Sequence, residues 1–197
     1  MIAKLIALGR LCLQLGRVQR ATYHEDGRNR ESDTDHTVML TVLACAYAEA
    51  HAPHLDRGLV AQYAVVHDFV EVHAGDTVTL GIDKAAAGSK VQREAAALAQ
   101  ISSEFSGTLP WLPRMIAQYE CQSDPEARFV RVLDKVMPAI THLLNGGVTI
   151  RELGMSAARL RAAHKAQRDK IAASYGADQP EAMQLITAIH AMLDGAP

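Results

Sequence analysis

The sequence predicts an all-α helical bundle. Two observations carry that prediction. About one residue in six of the 197 is alanine, the strongest helix former. The apolar residues recur at helical spacing, and alternating β-branched runs are rare. The near-balanced charge, 20 Lys+Arg against 22 Asp+Glu, gives no basic excess for a nucleic-acid polymer to grip. A hydrophobic fraction of 49% is enough to build a core and too high for a disordered chain.

The elements follow in order. A first helix is expected over about residues 2–16, with Ile2, Leu5, Ile6 and Leu13 facing inward. Arg10 and Arg17 interrupt its apolar character, which argues for an amphipathic helix rather than a signal peptide. The stretch ATYHEDGRNRESD reads as a polar loop. A second helix starts near Asp33 or Thr34, runs to about Ala50 and is stopped by Pro53. Asp56 is placed to cap a third, over about 57–72. HAGDTVTLGID is a loop, followed by an alanine-rich helix over about 84–104 and a short one near 112–120. SDPEARFVRVLDKVMPAITHLL begins with Asp124 as cap and Pro125 at the first helical position. Pro138 predicts a kink or break inside it. A helix from Thr149 to about Ser174 and a last one over about 179–193 complete a single domain. Its core is expected over about 10–145, with C-terminal helices over about 149–193. Cys12, Cys45 and Cys121 form no C-x-x-C pair, and no apolar run approaches a membrane span, so the cytoplasm is the expected location.

Chemistry shows where an ionisable residue falls on an apolar helical face. His36 lies three, four and seven residues before Met39, Leu40 and Leu43. His67 follows Tyr63 by four and precedes Val70 by three, with Asp68 beside it. Asp134 lies within the stripe FVRVLDKVM. A lone buried carboxylate costs several kcal/mol unless it is paired or metal-bound. A single such histidine is usually a satisfied core residue. Together, His36, His67, Asp68 and Asp134 offer two imidazoles and two carboxylates to one divalent cation: Co²⁺, Mn²⁺, Fe²⁺, Zn²⁺ or Mg²⁺.

The order H…HD…D resembles that of the HD-domain metal-dependent phosphohydrolases. ESDTDH, Glu31 to His36, is similar to the E-S-x-x-[DE]-H segment of the HD-domain 5′-deoxynucleotidases. HDFVEVHAGDT, His67 to Thr77, is similar to their H-D-x-x-E-x-x-x-G-D segment, and LDK at Leu133 to Lys135 to their final A-D-K or A-D-A segment. The resemblance spans roughly residues 10–145. It implies His36, His67, Asp68 and Asp134 as metal ligands, Glu71 as the acid/base carboxylate and Asp76 as an orienting carboxylate. Gly75 before Asp76 permits a sharp turn that aims the carboxylate back.

For the substrate phosphate, Arg17 is the best match to the family's phosphate-binding arginine, with Arg20 as the alternative. Lys84, Lys135 and His73 are further candidates for substrate contact. The resemblance implies a nucleotide substrate and a homodimer or higher homo-oligomer. Hydrolysis of a (deoxy)nucleoside 5′-monophosphate leads. A compact deoxynucleoside triphosphate triphosphohydrolase is the nearest rival, and a non-catalytic nucleotide-binding regulator the third reading. His51, His54, His142, His164 and His190 show no ligand spacing and are expected at the surface or in the core.

Overall fold

The computed structural model describes residues 1–76 and 84–195, with the side chains of 84–87 outside the description. The architecture is all-α with one small hairpin: α1 (Ile2–Leu15), β1 (Gln19–Tyr23), β2 (Arg30–Ser32), α2 (Asp33–His51), α3 (Arg57–Val66), α4 (Glu71–Ala74), α5 (Lys84–Phe105), α6 (Trp111–Cys121), α7 (Pro125–Leu144), α8 (Val148–Glu152), α9 (Ala157–Tyr175) and α10 (Pro180–Asp194). α7 is the central element. It packs against α2, α3, α6, α10 and β1. Leu40, Val60, Ala64, Val130, Leu133, Val136 and Met137 form part of the main core around it. No helix among the described residues is long and apolar enough to cross a membrane.

The start of α2 is fixed by a reciprocal cap. The Ser32 hydroxyl accepts from the Asp35 amide, while the Asp35 carboxylate accepts from the Ser32 amide. Asp56 caps α3, as expected, by accepting from the amides of Gly58 and Leu59. Asp124 sits at the cap position of α7 without a side-chain cap bond, its carboxylate taken instead by the Tyr63 hydroxyl.

Five expectations need correction. The inward face of α1 is the other one: Leu11 and Leu15 are buried, whereas Ile2, Leu5, Ile6 and Leu13 are exposed. The helix is apolar on both sides, so periodicity alone does not choose between them. The polar stretch after α1 holds an antiparallel hairpin, Gln19 opposite Ser32 and Tyr23 opposite Arg30. The Asp26 carboxylate organises its turn by accepting from the amides of Arg28 and Asn29. The third helix ends at Val66, six residues early, where the chain tightens into three-residue turns (Phe69 N–H to Val66 O, Glu71 N–H to Asp68 O). α7 runs through Pro138 without a break. The long helix after Gly147 is divided into α8 and α9 at Gly154, whose φ of +58° ends one helix before Ser156 caps the next.

Three histidines lie under the C-terminal helices. His142 of α7, His164 of α9 and His190 of α10 are all buried. The rings of His164 and His190 stack at 4.0 Å. Asp194 accepts from His164 Nδ1 at 2.7 Å, and the Arg168 guanidinium donates to His190 Nδ1 at 3.0 Å. The Nδ1 of His142 is buried without a partner among the described residues. Burial first, and then neighbouring His164, depress His142 to about 4 and, with Arg168, His190 to about 3. His164 is also lowered by burial, Asp194 opposing. A histidine depressed in the folded state binds its proton preferentially when unfolded. Its stability contribution is therefore complete above the unfolded value near 6.5 and is lost as pH falls. His142 and His190 are each expected to cost about 2 kcal/mol of stability on acidification from about pH 7.5 to 5. Denaturant melts across that range check this, with His142→Leu flattening the slope; equal slopes in both proteins would refute it.

A candidate metal centre and its cationic rim

Four donors from three parts of the fold converge. His36 lies one turn into α2, Asp134 lies midway along α7, and His67 and Asp68 occupy the tightened turn after α3. His36 Nε2 is 3.0 Å from Asp134 Oδ1 and 3.9 Å from Asp68 Oδ2. His67 Nε2 is 2.8 Å from Asp68 Oδ2 and 3.7 Å from Asp134 Oδ1. One donor atom from each of the four lies within 4.8 Å of the others. The early end of α3 explains how neighbours in sequence serve one point: a regular helix would turn His67 and Asp68 about 100° apart.

The donor set suits a borderline divalent ion. His67 makes the point most directly. Its Nδ1 faces the Ala64 carbonyl at 2.8 Å and donates to it, which leaves Nε2 as the free lone pair. That Nε2 is buried, and its approach to Asp68 lacks hydrogen-bond alignment, so it has no hydrogen-bond partner among the described residues. Electrostatics agree. Burial lowers the proton affinity of His67, but Asp68 and Asp134 reverse this and raise it. Burial would raise Asp134, yet Lys135, His36 and His67 hold it well below the usual carboxylate range. Asp68 is likewise held down, against its burial, by His67 and Arg20. The place favours positive charge.

A second ring of groups surrounds these four. Arg20 Nη1 donates to Asp68 Oδ2 at 2.8 Å and to Asp33 Oδ1 at 3.0 Å. Lys135 Nζ donates to Asp134 Oδ2 at 2.7 Å. Glu71 opens α4, buried, and takes Lys90 Nζ on Oε1 at 3.1 Å. Burial and then Asp68 push Glu71 up to about 10, with Lys90 opposing. Asp33, Asp68 and Glu71 each bring one oxygen within 4.8 Å of the other two. Gly75 has a φ of +74°, the left-handed region, and turns the chain at the end of α4. The charge of Asp76 beyond it is felt by Arg20, Asp33 and Glu71.

The expected substrate-binding residues divide. Arg20 and Lys135 are brought to the cluster. Arg17 is exposed after α1, and His73 is exposed on α4. The side chain of Lys84 lies outside the described residues. Sequence reasoning missed two members. Asp33 stands at the first position of α2, where an acidic residue ordinarily serves the helix end. Lys90 comes from α5, with no local signal to connect it to Glu71. Tyr119 of α6 makes a T-shaped contact with His67 at 6.2 Å, and the Arg131 guanidinium lies over the Tyr119 ring at 4.4 Å.

A model of the HD domain family matches residues 12–175. The 5′-deoxynucleotidase HDDC2 of Bos taurus is 31% identical over 128 residues, 64% of this chain and 60% of that one. The Mus musculus protein of the same name is 31% identical over 135 residues, 68% of this chain and 65% of that one. The chain thus spans about three fifths of the length of the curated relatives it matches. The crystal structure of a predicted metal-dependent phosphohydrolase from Magnetospirillum magnetotacticum MS-1 superimposes with a TM-score of 0.75 over 98% of this chain and 94% of that one. At 23% identity, that likeness is one of fold.

Proposed function

The chain belongs to the HD-domain family, and from that premise we propose that it is a metal-dependent phosphohydrolase that converts (deoxy)nucleoside 5′-monophosphates to nucleoside and phosphate. The observation that carries this reading is the convergence of His36, His67, Asp68 and Asp134, with a histidine lone pair left unpartnered among the described residues. The 5′-deoxynucleotidase name of the curated relatives supports the choice of substrate.

A divalent ion held by these four would neutralise phosphate oxygens and acidify a water near neutral pH. The chain supplies the rest. Arg20 and Lys135 border the cluster from β1 and α7 and meet the remaining charge of a phosphoryl group. Glu71 holds or releases a proton beside the reacting oxygen, and Lys90 keeps its carboxyl oriented by a bond to Oε1. Asp76 follows the Gly75 turn and is assigned to orient water or the leaving group. The described cations at the cluster are each already paired with a carboxylate, which suits one phosphoryl group better than three.

The test is a panel of nucleoside mono- and triphosphates incubated with the protein and Co²⁺ or Mn²⁺, with the phosphorus product identified. Orthophosphate from deoxynucleoside 5′-monophosphates is expected. Tripolyphosphate from triphosphates would replace this reading with triphosphohydrolase activity. Bound metal with no turnover of any nucleotide would point to a sensor.

A further inference from the structure

Asp33 is wholly buried, and a buried carboxylate needs a reason. Capping is not that reason, because Ser32 and Asp35 already close the start of α2 between them. Desolvation, and then the negative charge of Asp68, raise Asp33 to about 6, Arg20 opposing. The side chain's one hydrogen bond among the described residues goes to Arg20, and its Oδ2 is buried without a partner. The backbone repeats the connection. The Asp33 amide donates to the Val18 carbonyl at 3.1 Å, two residues before Arg20, so the same residue ties down both the strand and the guanidinium it carries. On the far side of the strand, Thr149 donates to the Ala21 carbonyl at 2.8 Å.

The Arg20 side chain is correspondingly placed. Both of its hydrogen bonds among the described residues leave from Nη1, one to Asp33 and one to Asp68. A guanidinium has five N–H donors in a rigid fork, so among the described residues Nη2 and Nε remain for a third anionic partner. A fork held by two carboxylates on one nitrogen has little freedom left to lose when that partner arrives.

We propose that Asp33 is a positioning residue that acts through Arg20: it fixes the guanidinium against Asp68 so that its free edge receives the substrate phosphoryl group at the four-donor cluster. Asp33 itself touches neither substrate nor ion. The proposal rests on the phosphohydrolase reading for the identity of the anion, and its test separates the two.

The test is a double-mutant cycle on protein loaded with Co²⁺, with inorganic phosphate as the titrant in calorimetry and metal content measured in parallel. Wild type, Asp33→Asn, Arg20→Met and the double variant are compared. Asp33→Asn is expected to weaken phosphate binding about tenfold with metal content unchanged. In the Arg20→Met background it is expected to cause less than a twofold further loss. With nucleotide, the KM of Asp33→Asn rises and its kcat moves little. Should Asp33→Asn not fold, Arg20→Lys tests the same contact from the other end: a point charge cannot keep both bonds and the fork, so phosphate weakens while the metal stays. Unchanged phosphate affinity in either variant, an additive loss in the double variant, or loss of metal from Asp33→Asn would overturn the proposal. Absence of nucleotide turnover by the wild type would sink the phosphohydrolase reading but leave the phosphate cycle decisive for Asp33 and Arg20.

Discussion

Replacing His67 by alanine is expected to lower divalent-metal affinity by at least about 100-fold and to leave the purified protein with little bound ion. The expectation follows from how the imidazole is held. Its Nδ1 is fixed on the Ala64 carbonyl, its ring is buried in a T-shaped contact with Tyr119, and its Nε2 has no hydrogen-bond partner among the described residues. No described neighbour replaces that lone pair when it is removed. The loss also leaves Asp68 and Asp134 close together without one of the groups that hold them ionised. Metal analysis of protein purified in the presence of Co²⁺ or Mn²⁺ is the direct check. Retention of one ion per chain by His67→Ala would remove His67 from the ligand set.

Replacing Glu71 by glutamine is expected to do the opposite. The ion stays, and kcat falls by about 10²–10⁴, the usual contribution of a positioned acid or base. Glutamine keeps the size and most of the polarity of the side chain, so the Lys90 bond and the packing of α4 against α5 have no steric reason to fail. What is lost is the ability to exchange a proton. The placement makes that loss costly. Glu71 is buried at the head of α4 and shares a 4.8 Å neighbourhood with Asp68, but it lies outside the group of two histidines and two aspartates. Metal content and kcat measured on one preparation separate the roles. Loss of the ion from Glu71→Gln would make Glu71 a ligand, and undiminished turnover would pass the acid/base role to another group, Asp76 first.

The parts of this molecule that were legible in advance share a physical cause. The start of α3 was visible because its cap, Asp56, stands directly before the first turn. The four donors were visible because a charge on an apolar stripe violates the burial rule that the rest of α2 and α7 obeys. The hairpin at Gln19–Ser32 was not, because its strands are five and three residues long and too polar to show alternation. The expectation of Arg17 came from its place at the end of the first helix, whereas the contact of Arg20 with Asp68 depends on this hairpin. Without paired strands there is no reason for the chain to carry residue 20 back across the start of α2. Lys90 reaches Glu71 only through the packing of α5 on α4, a tertiary fact with no local imprint. The early end of α3 is similar: the bond from His67 Nδ1 to Ala64 competes with the regular helix, and nothing in the apolar pattern of 57–72 announces it.

The long separation between His36 and Asp134, 98 residues, sets a clock on biosynthesis. At roughly 5–20 residues per second, the last of the four donors leaves the peptidyl-transferase centre about 5–20 seconds after the first. Once Asp68 is made, the nascent chain carries two histidines and an aspartate of the set, and it lacks the element that closes it until α7 follows. The strand bearing Arg20 waits longer still, since its anchors Asn145, Thr149 and Glu152 are made after Asp134. An ion that needs all four donors can be held only once α7 has been made.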